Sequence, residues 1–290
     1  MVDQPLEELL HDAERVLADS GVWSPREDAE ALAAHVLGLG ETAPEPRLPV
    51  PPAAADALRA LVARRADRIP LGHLTGRARL GGIDLTVNEH VFVPRFPTEL
   101  LLSWGLFAVE KTEAPVVVDL CTGSGAVALA VGHARPDAAV HAVDLDENAL
   151  ACARGNAAAR ARAGDTPITV HRGDVTDPAL LADLDGRVDL VLANPPYVPL
   201  GTRLLPEWGE HHPRTAVFGG ADGLDVIRAV IDCAARLLRP GAALAIEHGD
   251  AQIDVVPVLL DATGRFSSTE GHHDQENRPR YTTTFRKAVA

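Results

Sequence analysis

The chain runs to 290 residues, room for one large domain or two modest ones, and its 46% hydrophobic and 23% charged residues are an ordinary globular balance. A formal charge of −14 argues against a broad nucleic-acid-binding surface. Cys121, Cys152 and Cys233 are too few and too scattered for a disulfide frame or a cysteine metal cluster. An acidic N-terminus without an apolar signal core, and no apolar stretch of membrane-spanning length, make a reducing cytoplasm the expected compartment, with no membrane partner.

Leu6, Leu9, Leu10, Ala13, Val16 and Leu17 recur at helical spacing and predict a first helix. Ser24-Pro25-Arg26-Glu27 reads as a capping box with proline at the first helical position. It opens a second helix with the stripe Ala29, Leu32, Ala33, Val36 and Leu37, ended by Gly38 and Gly40. Residues 43–52 are proline-rich and read as a loop. A third helix covers about 53–68, with Arg64, Arg65 and Arg68 near its C-terminal end, where cations suit the dipole. From Gly72 to Val93, glycines punctuate short alternating segments such as Ile83-Asp84-Leu85-Thr86-Val87, the pattern of a hairpin linking two domains. Strand candidates then follow at Val116–Leu120, Ala139–Asp144, Thr169–Arg172, Val188–Ala193 and Ala242–Glu247. They alternate with helices at about 125–133, 147–162 and 223–238. That is the rhythm of an α/β protein, a parallel sheet with helices on both faces.

The first of these strands runs into Asp119-Leu120-Cys121-Thr122-Gly123-Ser124-Gly125 and then into a helix. Glycines at such a turn let the backbone approach a ligand, and the helix start presents free N–H groups. Asp144 ends the next strand, where nucleoside-binding folds place the acceptor for ribose hydroxyls, and Asp174 follows the third strand as a candidate acceptor for an adenine amino group. A dinucleotide site would want Gly-x-Gly-x-x-Gly and a partner for pyrophosphate. Here Cys121 stands at the first glycine, Ala128 near the third, and no basic residue sits in the loop. Asp119 suits a cationic or amino-acid moiety instead, so S-adenosylmethionine is favoured over NAD. At the end of a later buried strand stands Asn194-Pro195-Pro196-Tyr197. An amide oxygen, prolines that stiffen the turn and remove competing donors, and a flat ring together suit a planar NH2 group.

The order of these segments is that of the amino-type class I methyltransferases. Arg68–Gly76, Val91–Glu99, Pro213–Val217, Gly219–Leu224 and Asn277–Arg280 further resemble the HemK/PrmC family, and the likeness covers nearly the whole chain. This resemblance implies a Rossmann-like class I methyltransferase fold with a seven-stranded mixed sheet and a small N-terminal helical domain. It implies domains at 1–75 (a helical bundle recognising a protein substrate), 76–95 (a β-hairpin linker) and 96–290 (the methyltransferase domain). The implied reaction is N5-methylation of the glutamine in the Gly-Gly-Gln motif of peptide chain release factors. Asn194, Pro195, Pro196 and Tyr197 would be catalytic. Asp119, Cys121, Thr122, Gly123, Ser124, Gly125, Asp144, Leu145, Asp174, Val175, Arg95, Thr98 and Asn194 would line the S-adenosylmethionine site.

The chain departs from the family where Phe96-Pro97 replaces Pro-Glu, and where His211-His212 precedes Pro213 in place of an acid. A small-molecule amide, amine or carboxylate is therefore an alternative acceptor, and a non-catalytic cofactor-binding module a more distant reading. Asn194–Tyr197 also reads as a plain turn, Asp144 as a helix N-cap serving Asn148, and Asp174 as a Gly-Asp turn. Arg95 and Thr98 equally fit capping and salt-bridge roles. His211, His212, His272 and His273 lack supporting carboxylate spacing and read as surface loops without metal, and Glu247-His248 as core support or pocket lining.

Overall fold

The computed structural model describes residues 3–40 and 45–288. It divides into two compact units, one formed by Met1–Arg77 with Leu204–His211, the other by Ala78–Arg203 with His212–Ala290.

In the first unit, β1 (Gln4–Pro5) leads into α1 (Leu6–Asp19), followed by α2 (Pro25–Leu37), β2 (Pro49–Val50), α3 (Pro52–Ala66) and α4 (Leu71–Thr75). The α1 stripe meets Ala29, Leu32 and Ala33 of α2 and Ala55, Leu58 and Val62 of α3 in one core, and each fully buried leucine contributes about 1.5–3 kcal/mol. Val16 is 41% exposed and stands outside that stripe. Ser24 and Pro25 take the N-cap and first positions of α2, but Ser24 makes no side-chain cap bond. Its backbone carbonyl accepts from Asp28 N instead, so the reciprocal capping box does not form. In the proline-rich stretch, residues 43 and 44 lie outside the described residues, while Pro49–Val50 pair antiparallel with Gln4–Pro5 rather than forming only loop.

Arg65 and Arg68 do something other than face a helix dipole. Arg65 Nε donates to Asp28 Oδ2 at 2.6 Å and its Nη2 lies 2.5 Å from Glu207 Oε1. Arg68 pairs with the other Glu207 oxygen. Arg65, Arg68 and Glu207 are all buried.

The second unit begins with the hairpin of β3 (Arg77–Leu80) and β4 (Ile83–Thr86), then α5 (Phe96–Ala108), β5 (Val116–Leu120), α6 (Ala126–Ala134), β6 (Ala139–Asp144), α7 (Glu147–Arg162), β7 (Thr169–Arg172) and β8 (Val188–Ala193). After the one-turn helices α8 (Pro206–Gly209, in the first unit) and α9 (Arg214–Val217) come α10 (Asp225–Leu237), β9 (Leu238–Glu247), α11 (Val255–Ala262), β10 (Phe266–His273) and β11 (Pro279–Arg286). The sheet has seven strands in the order β10-β11-β9-β8-β5-β6-β7, parallel from β9 to β7 with β11 and β10 antiparallel. It is the mixed sheet of a class I methyltransferase, not a wholly parallel one.

Successive residues on the central strands point to opposite faces. Val118, Val191 and Leu244 pack on one side with Ile227, Val230 and Ile231 of α10. Val117, Leu190 and Leu192 pack on the other with Leu101 and Leu102 of α5 and Val127 and Val131 of α6. Strand order reverses between β5 and β8, and the crevice beyond the carboxyl ends of such a pair is where doubly wound sheets bind ligands. Among the described residues, no helix is long and apolar enough to cross a membrane.

Candidate active site

The turn after β5 is held in left-handed backbone at three positions, Cys121 (φ 62°), Gly123 (φ 56°) and Gly125 (φ 81°). Glycine adopts this freely, whereas a side chain at Cys121 costs about 1–2 kcal/mol. The Cys121 side chain packs against the core, and burial pushes its thiol well above the ordinary range. Thr122 N donates to Val143 O and Gly125 N to Thr122 O, closing the turn. The buried Ser124 offers its carbonyl to Asn156 Nδ2 at 2.9 Å. Asn156 also bonds Thr86 through both its amide groups, a support that sequence reading missed because asparagine inside α7 carries no motif.

Asp119 is 2% exposed, and its Oδ2 accepts from Thr122 Oγ1 at 2.5 Å and Ala128 N at 3.1 Å. Through that oxygen it braces the turn. Burial drives its carboxyl up to about 7. An aspartate in the unfolded chain titrates near 3.9, so the charged form is disfavoured by folding. This contribution to stability is complete below pH ~4 and is lost as pH rises through the folded value. Urea unfolding should therefore show stability falling by about 2–3 kcal/mol between pH 5 and pH 8 from this group. Asp119→Asn keeps the shape and an acceptor, and should remove that slope.

Asp144 ends β6 beside this turn. Its Oδ2 accepts from Gly123 N at 2.8 Å and its Oδ1 from Asp146 N at 3.0 Å. The helix cap for Asn148 is Asp146, which accepts from Asn148 N at 2.8 Å. Burial pushes the Asp144 carboxyl up against the pull of these backbone N–H groups. Each oxygen keeps lone-pair capacity for a further donor, and the adjacent Leu145 is 59% exposed. Asp174, after β7, is turned into its own loop, with Oδ1 accepting from Thr176 N and Thr176 Oγ1, bonds that lower its carboxyl. Val175 is partly buried against the core, and Gly173 N donates to Asp144 O, linking the two strand ends.

S-adenosylmethionine fits this donor set. Its ribose hydroxyls and amino groups need acceptors, which Asp144 and the free capacity of Asp174 could supply, and it has no pyrophosphate to neutralise. A Cβ at Gly123 would meet nothing within 4 Å, so the backbone there is open to a ligand.

Asn194 follows β8, the neighbouring strand. Ala193 pairs with Leu120 on one side and Ile246 on the other, so the register sets Asn194 between Cys121 and Glu247. Asn194 Nδ2 donates to Thr98 Oγ1 at 3.2 Å, and Thr98 Oγ1 donates to Glu247 Oε2 at 2.8 Å. Burial pushes the Glu247 carboxyl up, while Arg95, Thr98, Arg280 and Asn194 pull it back. Arg95 stacks its guanidinium 5.2 Å above the Phe92 ring and donates to Tyr197 Oη at 3.4 Å. The Tyr197 hydroxyl is pushed up to about 12 by burial and by Glu247. Arg95 and Thr98, assigned above to the cofactor, thus lie with the Asn194–Tyr197 loop, and neither makes a side-chain cap bond for α5.

The loop is braced from below. Pro195 is buried and Pro196 half-buried. Val198 N donates to Val217 O and Gly219 N to Val198 O. A Cβ on Gly219 or Gly223 would collide with the carbonyl of Pro196 or Tyr197 respectively. That is a physical reason for glycines which the sequence showed only as a likeness. Gln252, also missed, donates Nε2 to Tyr197 O at 3.0 Å and Gly223 O at 3.2 Å. Glu247 and His248 are both buried but diverge, His248 Nε2 meeting Thr282 Oγ1 at 2.8 Å.

The remaining histidines correct one expectation. His212 is 5% exposed and stacks near Phe92, not on a surface loop. His211 faces the Asp67 carbonyl and His272 stacks on Tyr281. Among the described residues no three metal-binding side chains come together.

Residues 8–76 match the family described as PrmC N-terminal domain, and residues 97–202 the Methyltransferase small domain. The chain is 46% identical over 281 residues to the release factor glutamine methyltransferase of Mycolicibacterium smegmatis, covering 95% of this chain and 96% of that protein. It is 44% identical over 280 residues to the release factor glutamine methyltransferase of Streptomyces coelicolor, covering 94% and 95%. The solved catalytic domain of hMettl16 with the MAT2A 3'UTR hairpin 6 has a TM-score of 0.56 at 16% identity, over 79% of this chain and 82% of that one. The T. Thermophilus 16S rRNA N2 G1207 methyltransferase with AdoMet and guanosine has a TM-score of 0.52 at 22% identity, over 73% and 50%. At these identities the two solved structures share the fold alone.

Proposed function

The chain belongs to the release factor glutamine methyltransferase family, and we propose that the Asn194–Tyr197 loop is where it methylates the glutamine side-chain amide of a peptide chain release factor. The enzyme is an S-adenosylmethionine-dependent methyltransferase. Within the release factor, the glutamine of a Gly-Gly-Gln motif is the proposed acceptor, and the cytoplasm, where translation ends, the proposed setting. The helical first unit is assigned to recognition of that protein.

One observation carries the assignment of the loop. Asn194 donates its Nδ2 to Thr98 Oγ1, which leaves its Oδ1 as the acceptor. A substrate amide offers two N–H donors, and Asn194 Oδ1 with the Pro195 carbonyl can accept both. Bound S-adenosylmethionine supplies an electrophilic methyl on a sulfonium. An amide nitrogen is a weak nucleophile because its lone pair is delocalised. The two acceptors fix its direction and favour the positive charge that builds on it as the new bond forms. Tyr197 then covers the amide plane and keeps water out, its hydroxyl held by Arg95. The proton leaves the nitrogen after it has gained the methyl, so no strong base is required. Asp144, with the open backbone at Gly123, holds the donor molecule by its ribose.

The test is incubation with methyl-labelled S-adenosylmethionine and purified release factor, then peptide mapping. Label on the Gly-Gly-Gln glutamine is the expected result. Label passing only to small metabolites, with none on the release factor, would overturn the proposed acceptor.

A further inference from the structure

We infer that Thr98 and Glu247 are positioning residues which lock the Asn194 amide in one of its two orientations, so that only its oxygen is presented to the acceptor nitrogen. This rests on the role proposed for Asn194 and adds what enforces it. An asparagine amide is nearly symmetric in shape, and a half-turn exchanges donor for acceptor at little steric cost. In the turned form Asn194 would present NH2 to an incoming NH2, donor against donor, and the acceptor would be rejected. Something in the fold must therefore discriminate oxygen from nitrogen.

The discrimination lies in the direction of the hydrogen bonds. A carboxylate is acceptor-only, so Glu247 Oε2 accepts the hydrogen bond of the Thr98 hydroxyl at 2.8 Å. With its proton spent, Thr98 Oγ1 can only accept, and it accepts from Asn194 Nδ2 at 3.2 Å. The turned amide would set its oxygen against the Thr98 oxygen, and both would be left without a donor. Thr98 is 3% exposed and Glu247 1%, so water does not stand in for the lost donor, and a buried polar atom without a partner is costly. The arrangement is built from three separate elements, β8, β9 and the first turn of α5, brought together by the register that pairs Ala193 with Ile246. Unlike Asn194, neither Thr98 nor Glu247 meets the substrate in this scheme. They act through Asn194.

The measurement compares Thr98→Val, which exchanges a hydroxyl for a methyl at equal volume, with Thr98→Ser, which restores the hydroxyl. Thr98→Val should lower kcat for the release factor about tenfold to a hundredfold, the scale of losing an orienting partner behind a first contact residue. The Kd for S-adenosylmethionine should stay within about twofold, and Thr98→Ser should recover most of the loss. Placed in an Asn194→Ala background, Thr98→Val should cost nothing further, because residues acting through one group are not additive. Glu247→Gln, whose amide can donate as well as accept, should reproduce the Thr98→Val defect. An equal loss in both backgrounds, or no loss in either, would overturn the inference.

A second readout needs no acceptor. The Asn194 side-chain NH2 resonances, assigned by their absence in Asn194→Asp, should shift and exchange faster in Thr98→Val and Glu247→Gln. Unchanged resonances overturn the lock even if methyl transfer proceeds. A wild-type protein that leaves the release factor unlabelled but shows the resonance change overturns the acceptor assignment and keeps the lock.

Discussion

Asn194→Ala should lower single-turnover methyl transfer about a hundredfold to a thousandfold, the scale reported for removing one preorganised polar contact at a reacting centre. The substitution deletes the acceptor on one face of the substrate amide and leaves Thr98 Oγ1 without its Asn194 donor. Affinity for S-adenosylmethionine should change by less than about twofold, because Gly123, Asp144 and the turn that joins them are untouched. Titration calorimetry with the cofactor separates the two. Asn194→Asp should fare no better, since it replaces the Nδ2 donor by a second acceptor facing Thr98 Oγ1, whose own hydrogen is directed to Glu247. A parallel loss of cofactor affinity and turnover would show that Asn194 serves the cofactor instead.

Much of this site was legible because its parts sit where strands end. The central strands are buried on both faces, so β5, β6 and β8 appear in the sequence as short apolar runs with Asp or Asn at or near their ends, and the strands from β5 to β8 begin and end where the sequence places them. The rest was hidden for identifiable reasons. Helix α5 is apolar on nearly every side, with Leu100–Leu102, Trp104, Leu106 and Phe107 in succession, so no polar face marks its period. It went unread although its first turn carries Thr98. Strands β10 and β11 contain Ser267–Thr269 and Thr282–Thr284. The latter threonines are buried, and a polar run that is buried in an antiparallel edge pair gives no alternation to read. The seven-strand count accordingly came with the family likeness and not from periodicity.

Asp119 and Asp144 show a different limit. Both are carboxylates at strand ends, 25 residues apart, and nothing in either neighbourhood reveals which is open. The fold separates them by direction. Asp119 precedes the last residue of β5 and turns inward to Thr122 and Ala128, whereas Asp144 is the last residue of β6 and reaches across to Gly123. In the β5–β6 register Asp119 lies opposite Ala142, so Asp144 stands two residues further along, level with the turn itself.

Glu207→Ala should be the most damaging single change in the first unit, costing about 3–5 kcal/mol. The reason is an inequality of magnitudes. Arginines at a helix C-terminus gain about 0.3–1 kcal/mol from the dipole while they remain solvated. Arg65 and Arg68 are instead buried, and Arg68 lies beyond the end of α3 with φ 66°. Their burial is tolerable only because each meets one oxygen of Glu207, with Asp28 as a second partner for Arg65 and the carbonyls of Ser20 and Gly21 for Arg68. Removing the shared carboxylate strands two guanidiniums among few acceptors, and the desolvation cost that the pairing had offset then falls on the folded state. Hydrogen exchange should report loss of protection along α3 and in residues 204–211, both within the first unit. The residues proposed to hold the cofactor all lie in the second unit, so cofactor binding should persist. If α3 keeps its protection in Glu207→Ala, the cluster is decoration on a stable helical core; if cofactor affinity falls as well, the two units do not respond separately.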